Sequence, residues 1–167
     1  MRNELVKMVN KNEVLRKLLA SWVDYQVIRG NSSSIPDEPD FAVFRSLPAE
    51  TVTTNDIRVI EDKEYSSRLI MGAFQLDFYS DSQVKAEEMA HGMVEKIIFS
   101  KRNDLVRAGF GVSDYQIEVD DRTFIENSEF IYRYGFDVKI NYRIITEREN
   151  TPIEHIDITI GDENKEI

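Results

Sequence analysis

The clearest pattern in the chain is the alternation of apolar and polar residues between Phe130 and Ile144. Every even position of this run is apolar: Phe130, Tyr132, Tyr134, Phe136, Val138, Ile140, Tyr142 and Ile144. Because successive side chains of a strand point to opposite faces, the run predicts one long strand with one solvent-facing side. At about 3.3 Å per residue this strand would span roughly 50 Å, with Gly135 as the expected position of a bend.

Two segments carry the three-and-four spacing of amphipathic helices. The first covers residues 3–26 and includes a capping box that begins at Asn10, where the helix can restart. Its apolar stripe consists of Leu15, Leu18, Leu19, Trp22 and Tyr25. The second helix follows a capping box at residues 80–83 and continues to about Ser100. Its apolar face consists of Ala86, Met89, Ala90, Met93, Val94, Ile97 and Ile98.

The other apolar runs are short and are separated by turn-forming residues, with a loop at 30–39. They predict strands at 41–45, within 50–68, and at 65–79, 114–120 and 153–160. Strands joined by short turns are most easily antiparallel. The predicted fold is therefore α+β, a mainly antiparallel sheet with two amphipathic helices packed on one face. Residues 1–150 are expected to form a single domain, followed over 151–167 by a short strand and a frayed tail.

Composition narrows the function classes. The 167 residues include no cysteine, which excludes disulfides, thiolate metal sites and a cysteine nucleophile. The formal net charge is −10, so a broad nucleic-acid-binding surface is not expected. Residues 35–64 and 145–167 together hold fifteen of the thirty-one carboxylates. No apolar run is long enough to span a bilayer, and we expect no membrane partner.

Two residue patterns raise the question of catalysis. Glu87 and Glu95 each lie one helical turn from His91. A Glu–His pair at this spacing can present metal ligands, but no third ligand is evident for such a pair. Asp137 and Lys139 share a strand face, as in metal-dependent nucleases, with Asp37 or the pair 120–121 as conceivable partners. Alternating charges on a solvated strand are common, and a two-residue pattern is weakly specific. We therefore predict no catalytic residue, no metal ligand and no cofactor.

The C-terminal segment has an isoleucine-rich face formed by Ile153, Ile156, Ile158 and Ile160. An exposed strand with such a face would aggregate unless something covered it. It can fold back on its own sheet or add to the sheet of a neighbouring subunit. We take these four isoleucines as the candidate subunit interface.

The order and spacing of several segments resemble the tail-terminator, or neck-terminator, proteins of tailed bacteriophages. The helix ending in Trp22-Val23 leads through a proline-containing loop to the strand at 41–45. The strand at 73–80 runs directly into a helix beginning near Ser82. The remaining similar segments are 105–112, leading to Asp120, and 132–142, which is similar to the family's last long strand.

The resemblance implies a structural virion protein and not an enzyme. Such a protein would form a homo-oligomeric, hexameric ring in the virion neck after assembly in the host cytoplasm. The ring would bind the tail tube protein, cap the tail tube and join it to the head–tail connector or stopper protein. DNA would pass through the lumen without specific binding. An acidic surface would suit that passage, since it repels DNA. The alternatives are a metal-dependent nuclease using Asp137 and Lys139, or a different neck ring such as a head-completion or adaptor protein.

Overall fold

Two long antiparallel strands form the central pair of the sheet. A computed structural model describes residues 10–149, in which β5 (Lys63–Ser80) pairs with β9 (Glu129–Glu149). The pairing runs from Lys63 opposite Glu149 to Ser80 opposite Tyr132 without interruption. The predicted long strand is confirmed and continues to Glu149. Its register passes through Gly135 without a bulge, so the residue is a glycine for another reason, given below.

Shorter strands line both outer edges of this pair. Along the edge of β5 lie β2 (Phe41–Ser46), β3 (Glu50–Thr51) and β4 (Asp56–Ile60), all antiparallel to β5. Along the edge of β9 lie β6 (Phe110–Val112), β7 (Asp120–Asp121) and β8 (Phe124–Glu126), again antiparallel. A further strand, β1 (Gln26–Arg29), pairs in parallel with β2. The main strand order is β1-β2-β5-β9-β6.

The helices supply the other half of the core. Helix α1 (Lys11–Ala20) is capped by Asn10, whose side chain accepts a hydrogen bond from the Glu13 backbone N–H at 3.2 Å. Helix α2 (Gln83–Glu95) is capped by Ser82, continues as a π-helical turn (Lys96–Ser100), and is followed by α3 (Arg102–Arg107). The predicted cap at Asn10 is confirmed, whereas the N-cap of α2 is Ser82 and not Ser80, the first residue of the predicted box, because the chain is still extended at Ser80. None of the helices in residues 10–149 has the length and apolarity needed to cross a bilayer.

One apolar core joins the helices to the even-numbered face of β5 and β9. Its most deeply buried side chains come from α1, β5, α2, the π-helical turn, α3 and β9: Leu15, Leu19, Phe74, Leu76, Phe78, Met93, Ile97, Leu105, Phe136 and Ile140. The predicted α+β class is confirmed, and the predicted apolar faces pack against this core except for Phe130 of β9, which is 63% exposed. The predicted strand at 153–160 lies outside the described residues.

The first helix ends earlier than predicted, and an unpredicted strand follows it. Helix α1 stops at Ala20, where the Ser21 hydroxyl donates a hydrogen bond to the Leu18 carbonyl. Glu13 then ties α1 to β1, because both Arg16 and Arg29 donate to its carboxylate. These two guanidinium groups lower the pKa of Glu13 to about 2, with Arg16 the larger influence. The short β1 is therefore held by ion pairs and by β2, which local apolar spacing did not indicate.

The segment between the second predicted helix and β9 also differs from the prediction. The helical region does not end at about Ser100 as predicted, because the chain restarts as α3 and buries Leu105. Residues 114–119 form no strand; they connect β6 to β7 beside β9, and the Asp114 side chain accepts a hydrogen bond from the Gln116 N–H at 2.9 Å. Ile117 and Val119 still pack partly against the core. Their alternation reflects that packing and not a sheet ladder.

The burial of two phenylalanines implies very different costs for their truncation. Phe136 in β9 is 0% exposed, whereas Phe99 in the π-helical turn is 79% exposed. Phe136→Ala should lower the free energy of unfolding by about 3–5 kcal/mol, since it leaves a cavity in the core. Phe99→Ala, the matched control, should change it by less than about 0.5 kcal/mol. Denaturant titration of both variants checks this, and similar losses for the two would contradict the assigned burial.

Candidate functional site

A buried carboxylate lies at the centre of the sheet face opposite the helices. Asp77 in β5 is 0% exposed, although it projects away from the apolar core. Its two oxygens are held by different arginines: Arg122 Nη1 lies 2.8 Å from Oδ1, and Arg133 Nη2 lies 2.7 Å from Oδ2. A buried charge without partners would be strongly destabilising. The two guanidinium groups therefore offset the free-energy cost of burying the Asp77 carboxylate.

The cluster extends beyond Asp77. Arg122 also reaches Asp120 at 3.2 Å and Asp137 at 3.3 Å, so it links three carboxylates from β5, β7 and β9. Arg133 lies over the ring of Tyr79 at 5.7 Å from its centroid. We call Asp77, Asp120, Arg122, Arg133 and Asp137 the arginine–aspartate cluster. It pins the 120–123 segment to the sheet by charge-assisted hydrogen bonds.

Gly135 makes room for this cluster. It pairs directly with Asp77 in the β5–β9 register. A Cβ atom at this position would lie 2.4 Å from Asp77 Oδ1, 2.7 Å from the Leu76 carbonyl oxygen and 2.8 Å from Arg122 Nη1. Gly135 is thus required by a close approach of polar atoms and not by a bend in the strand.

The nuclease alternative finds no support in this geometry. Arg122 fills the space between the three aspartates, and its positive charge opposes a divalent cation there. Within residues 10–149, no three histidine, aspartate or glutamate side chains are grouped to hold a metal ion. Asp137 and Lys139 border a depression of about 190 Å³, which is smaller than typical ligand pockets of roughly 300–1,000 Å³.

The helix pattern at His91 is also explained by surface contacts. His91 Nε2 lies 4.0 Å from Glu87 Oε1, and both side chains are exposed. Glu95 instead accepts a hydrogen bond from the Ser100 hydroxyl at 2.9 Å. The three residues predicted at one-turn spacing therefore do not converge on one point.

Two groups of exposed apolar side chains lie at the two ends of the long strands. Helix α2 and the π-helical turn together span at most about 27 Å at 1.5 Å per residue. Strand β9 has 21 residues and, at about 3.3 Å each, spans roughly 70 Å. On β9, the residues that contact the core run only from Tyr132 to Ile144, so both ends of the strand lie beyond it. Sheet extends past the core at both ends.

One extension is a three-stranded segment, which we call the arm: residues 56–60, 63–68 and 143–149. Every residue of β4 is exposed, and the exposed large apolar side chains of the arm are Ile57, Val59, Ile60 and Ile145. Ion pairs cross the strands, with Lys63 on Glu147 and Arg148 on Glu64 at 2.7 Å. The arm is thus ordered by pairing and charge but has little core of its own.

The other extension is the hairpin of β8 and β9, which we call the tip. Asn127 and Ser128 both have positive φ, as in the two-residue turns that suit the twist of a hairpin. Phe124, Ile125 and Phe130 are exposed beside this turn. Such patches on a protein surface indicate contact sites. Arm and tip lie at opposite ends of β9.

The predicted strand at 65–79 contains Asp77, but the pattern of residues did not indicate Arg122 or Arg133 as its partners. The available signal was Gly135, since a glycine inside a strand often marks a close approach. The candidate interface residues Ile153, Ile156, Ile158 and Ile160 lie outside the described residues.

Comparison with known proteins gives one clear match. The family model described as phage neck terminator protein matches residues 13–166, which is most of the chain. A search of curated proteins finds no match.

The close packing at Gly135 leads to a test with an internal control. Gly135→Ala should lower the free energy of unfolding by about 1–3 kcal/mol, because the added methyl group collides with Asp77 and Leu76. Gly111→Ala in β6 should be neutral or slightly stabilising, since a Cβ there meets no atom within 4 Å. Thermal or denaturant unfolding of both variants measures the difference. Equal stabilities would show that the arginine–aspartate cluster does not need the glycine.

Proposed function

Because the chain belongs to the phage neck terminator proteins, structural proteins of the bacteriophage tail and neck, we propose that it forms the ring that ends the tail tube. The ring is hexameric, is assembled in the host cytoplasm and resides in the virion neck. It binds the tail tube protein on one side and the head–tail connector or stopper protein on the other. The match over residues 13–166 is the observation that carries this proposal.

The two extensions of the sheet support a role between two partners. Arm and tip expose apolar side chains at opposite ends of β9, separated by roughly 50 Å at 3.3 Å per residue. A protein that joins a tail to a head needs contact surfaces facing in two directions. The geometry offers two such surfaces on one rigid strand pair.

The site at the centre of the sheet supports a structural and not an enzymatic role. The arginine–aspartate cluster binds its own carboxylates with its own guanidinium groups. Charges that are paired in this way stabilise a segment of the fold and are not offered to a substrate. We therefore propose that the protein has no catalytic activity and needs no cofactor.

Subunit contacts in the ring include the C-terminal segment. We propose that Ile153, Ile156, Ile158 and Ile160 contribute an apolar strand face to the interface. The segment follows Glu149 directly, and Glu149 is the last residue of the arm. A chain leaving the arm at this position is well placed to reach a neighbouring copy.

The surface charge suits passage of DNA through the lumen. Six of the eight carboxylates in 35–64 are exposed: Asp37, Glu38, Glu50, Asp56, Glu61 and Asp62. Several negative groups around a channel would keep phosphates from adhering. We propose that acidic side chains of this region face the lumen and that DNA passes without specific binding.

Removing the protein from the virus tests the terminator role directly. Particles assembled without it should show tails of uncontrolled length that also fail to join heads, because no ring caps the tube. Electron microscopy of such particles, with length histograms, is the measurement. Tails of normal length that are merely detached would favour a different neck ring. Intact, infectious particles would contradict the proposal.

Charge reversal tests the acidic lumen. Glu61→Lys with Asp62→Lys, at the turn of the arm, should slow DNA ejection several-fold while leaving tail assembly normal, because added positive charge attracts phosphate. Glu87→Lys with Glu88→Lys on α2 makes the same charge change on another exposed surface and serves as the control. Ejection kinetics of triggered particles gives the comparison. Equal rates for both pairs would place the arm turn outside the lumen.

A further inference from the structure

The arm has two different backbone edges that no strand of residues 10–149 covers. On one side, β4 is the outermost strand, since it pairs only with β5. On the other side, β6 stops at the position opposite Tyr142, so the outer edge of β9 is open over residues 143–149. Open edges present unpaired N–H and C=O groups, which favour pairing with another strand.

We infer that these two edges pair with each other between copies: β4 of one copy joins residues 143–149 of the next. This inference rests on the proposed ring and identifies the contact that closes it. Because the two edges differ, each copy uses one edge for its neighbour on the left and the other for its neighbour on the right. Such a head-to-tail contact produces a closed ring when the rotation between copies closes.

Exposed apolar side chains on both edges favour a second copy of this chain as the occupant. Ile57, Val59 and Ile60 on β4 and Ile145 on β9 are all more than half exposed. The arm exposes apolar side chains on both of its faces. Pairing between arms would extend the sheet and bury part of this surface. Both edges therefore carry exposed apolar side chains that favour burial against each other.

The nearly balanced charge of the arm permits the same contact. Although the whole chain has a net charge of −10, residues 56–68 and 143–149 carry five basic and six acidic side chains. Copies can thus approach through the arm with little repulsion. Arg58, Tyr65 and Glu147 lie in one row across the arm, on one face. If the neighbouring arm is not shifted along the direction of the strands, its Glu147 would lie beside Arg58.

Arg58 can accept that additional partner. Its guanidinium group already bonds Asp56, with Arg58 Nη2 2.9 Å from Asp56 Oδ2, and its side chain is 73% exposed. An arginine has five N–H donors, so a second carboxylate can be bound without losing the first. The contact would be an exposed ion pair at the junction and would help set the register between the two strands.

The absence of cysteine makes disulfide crosslinking a clean test. Within one copy, β5 separates Arg58 from Glu147, so their Cα atoms lie about 10 Å apart, two strand spacings. That separation exceeds the limit of about 7 Å for a disulfide. A bond between Arg58→Cys and Glu147→Cys can therefore form only between copies. Tyr65→Cys, in the same row but on the central strand, is the matched control.

The variants are co-expressed as full chains, and both the purified protein and completed tails are oxidised mildly. Arg58→Cys with Glu147→Cys should give disulfide-linked dimers, and the double variant in one chain should give a ladder up to the ring size. Each single variant and any pair with Tyr65→Cys should give none. Native mass spectrometry records ring formation separately, so loss of the ring is distinguished from loss of this contact.

Several outcomes would overturn the inference. Rings that form without the Arg58–Glu147 crosslink would keep the proposed ring but place its contact elsewhere. Dimers of Arg58→Cys alone would indicate symmetric pairing of two β4 strands. An intrachain disulfide between Ile145→Cys and Ile156→Cys would show that the chain's own C-terminal segment occupies the β9 edge. A chain that is monomeric both when purified and in tails would refute ring and contact together.

Discussion

The uninterrupted pairing of β5 with β9 is the constraint on which the rest of the structure depends. Eighteen residues of β5 pair in one register, so the even-numbered residues of both strands share a face along the whole length. A one-residue slip would move every one of those side chains to the opposite face. The core helices pack on the middle of this face, and all the short strands except β1 align on the outer edges of the pair. Position along β5 and β9 thus determines which residues are buried and which are exposed.

The arginine–aspartate cluster shows how the opposite face is managed in the same region. An aspartate at the centre of a sheet is costly to bury, and pairing with arginines offsets that cost only when the geometry is good. Here each oxygen of Asp77 has its own guanidinium partner, and Gly135 leaves the space they need. The gain is positional: the 120–123 segment is tied to β5 and β9 without a second apolar core. A sheet with one helical layer can therefore cover part of its other face.

The parts of the fold that the sequence predicts are those with long, regular apolar periods. The alternation from Phe130 to Ile144 indicated β9, and the stripe from Ala86 to Ile98 indicated α2, because periodicity is a local property of many residues. Strand β1 was not predicted, since four residues give too little alternation and its stability comes from β2 and the Glu13 ion pairs. Residues 114–119 were predicted as a strand because half-burial against a core produces the same pattern. The arginine partners of Asp77 come from positions 45 and 56 residues further along the chain, and no local pattern specifies such contacts.

The mismatch between strand length and helical cover links this fold to assembly. A monomer that functioned alone would gain by shortening β5 and β9 to the length of its helices, because uncovered edges invite aggregation. This chain instead keeps the last five residues of β9 and all of β4 beyond the core, with ion pairs that join β9 to β5. Ordered strands that have apolar residues, open edges and nearly balanced charge are suited to a defined partner more than to solvent. In the proposed contact between arms, that partner is another copy of the same chain. Each copy would then complete its neighbour's sheet and cover the edges that the neighbour leaves open.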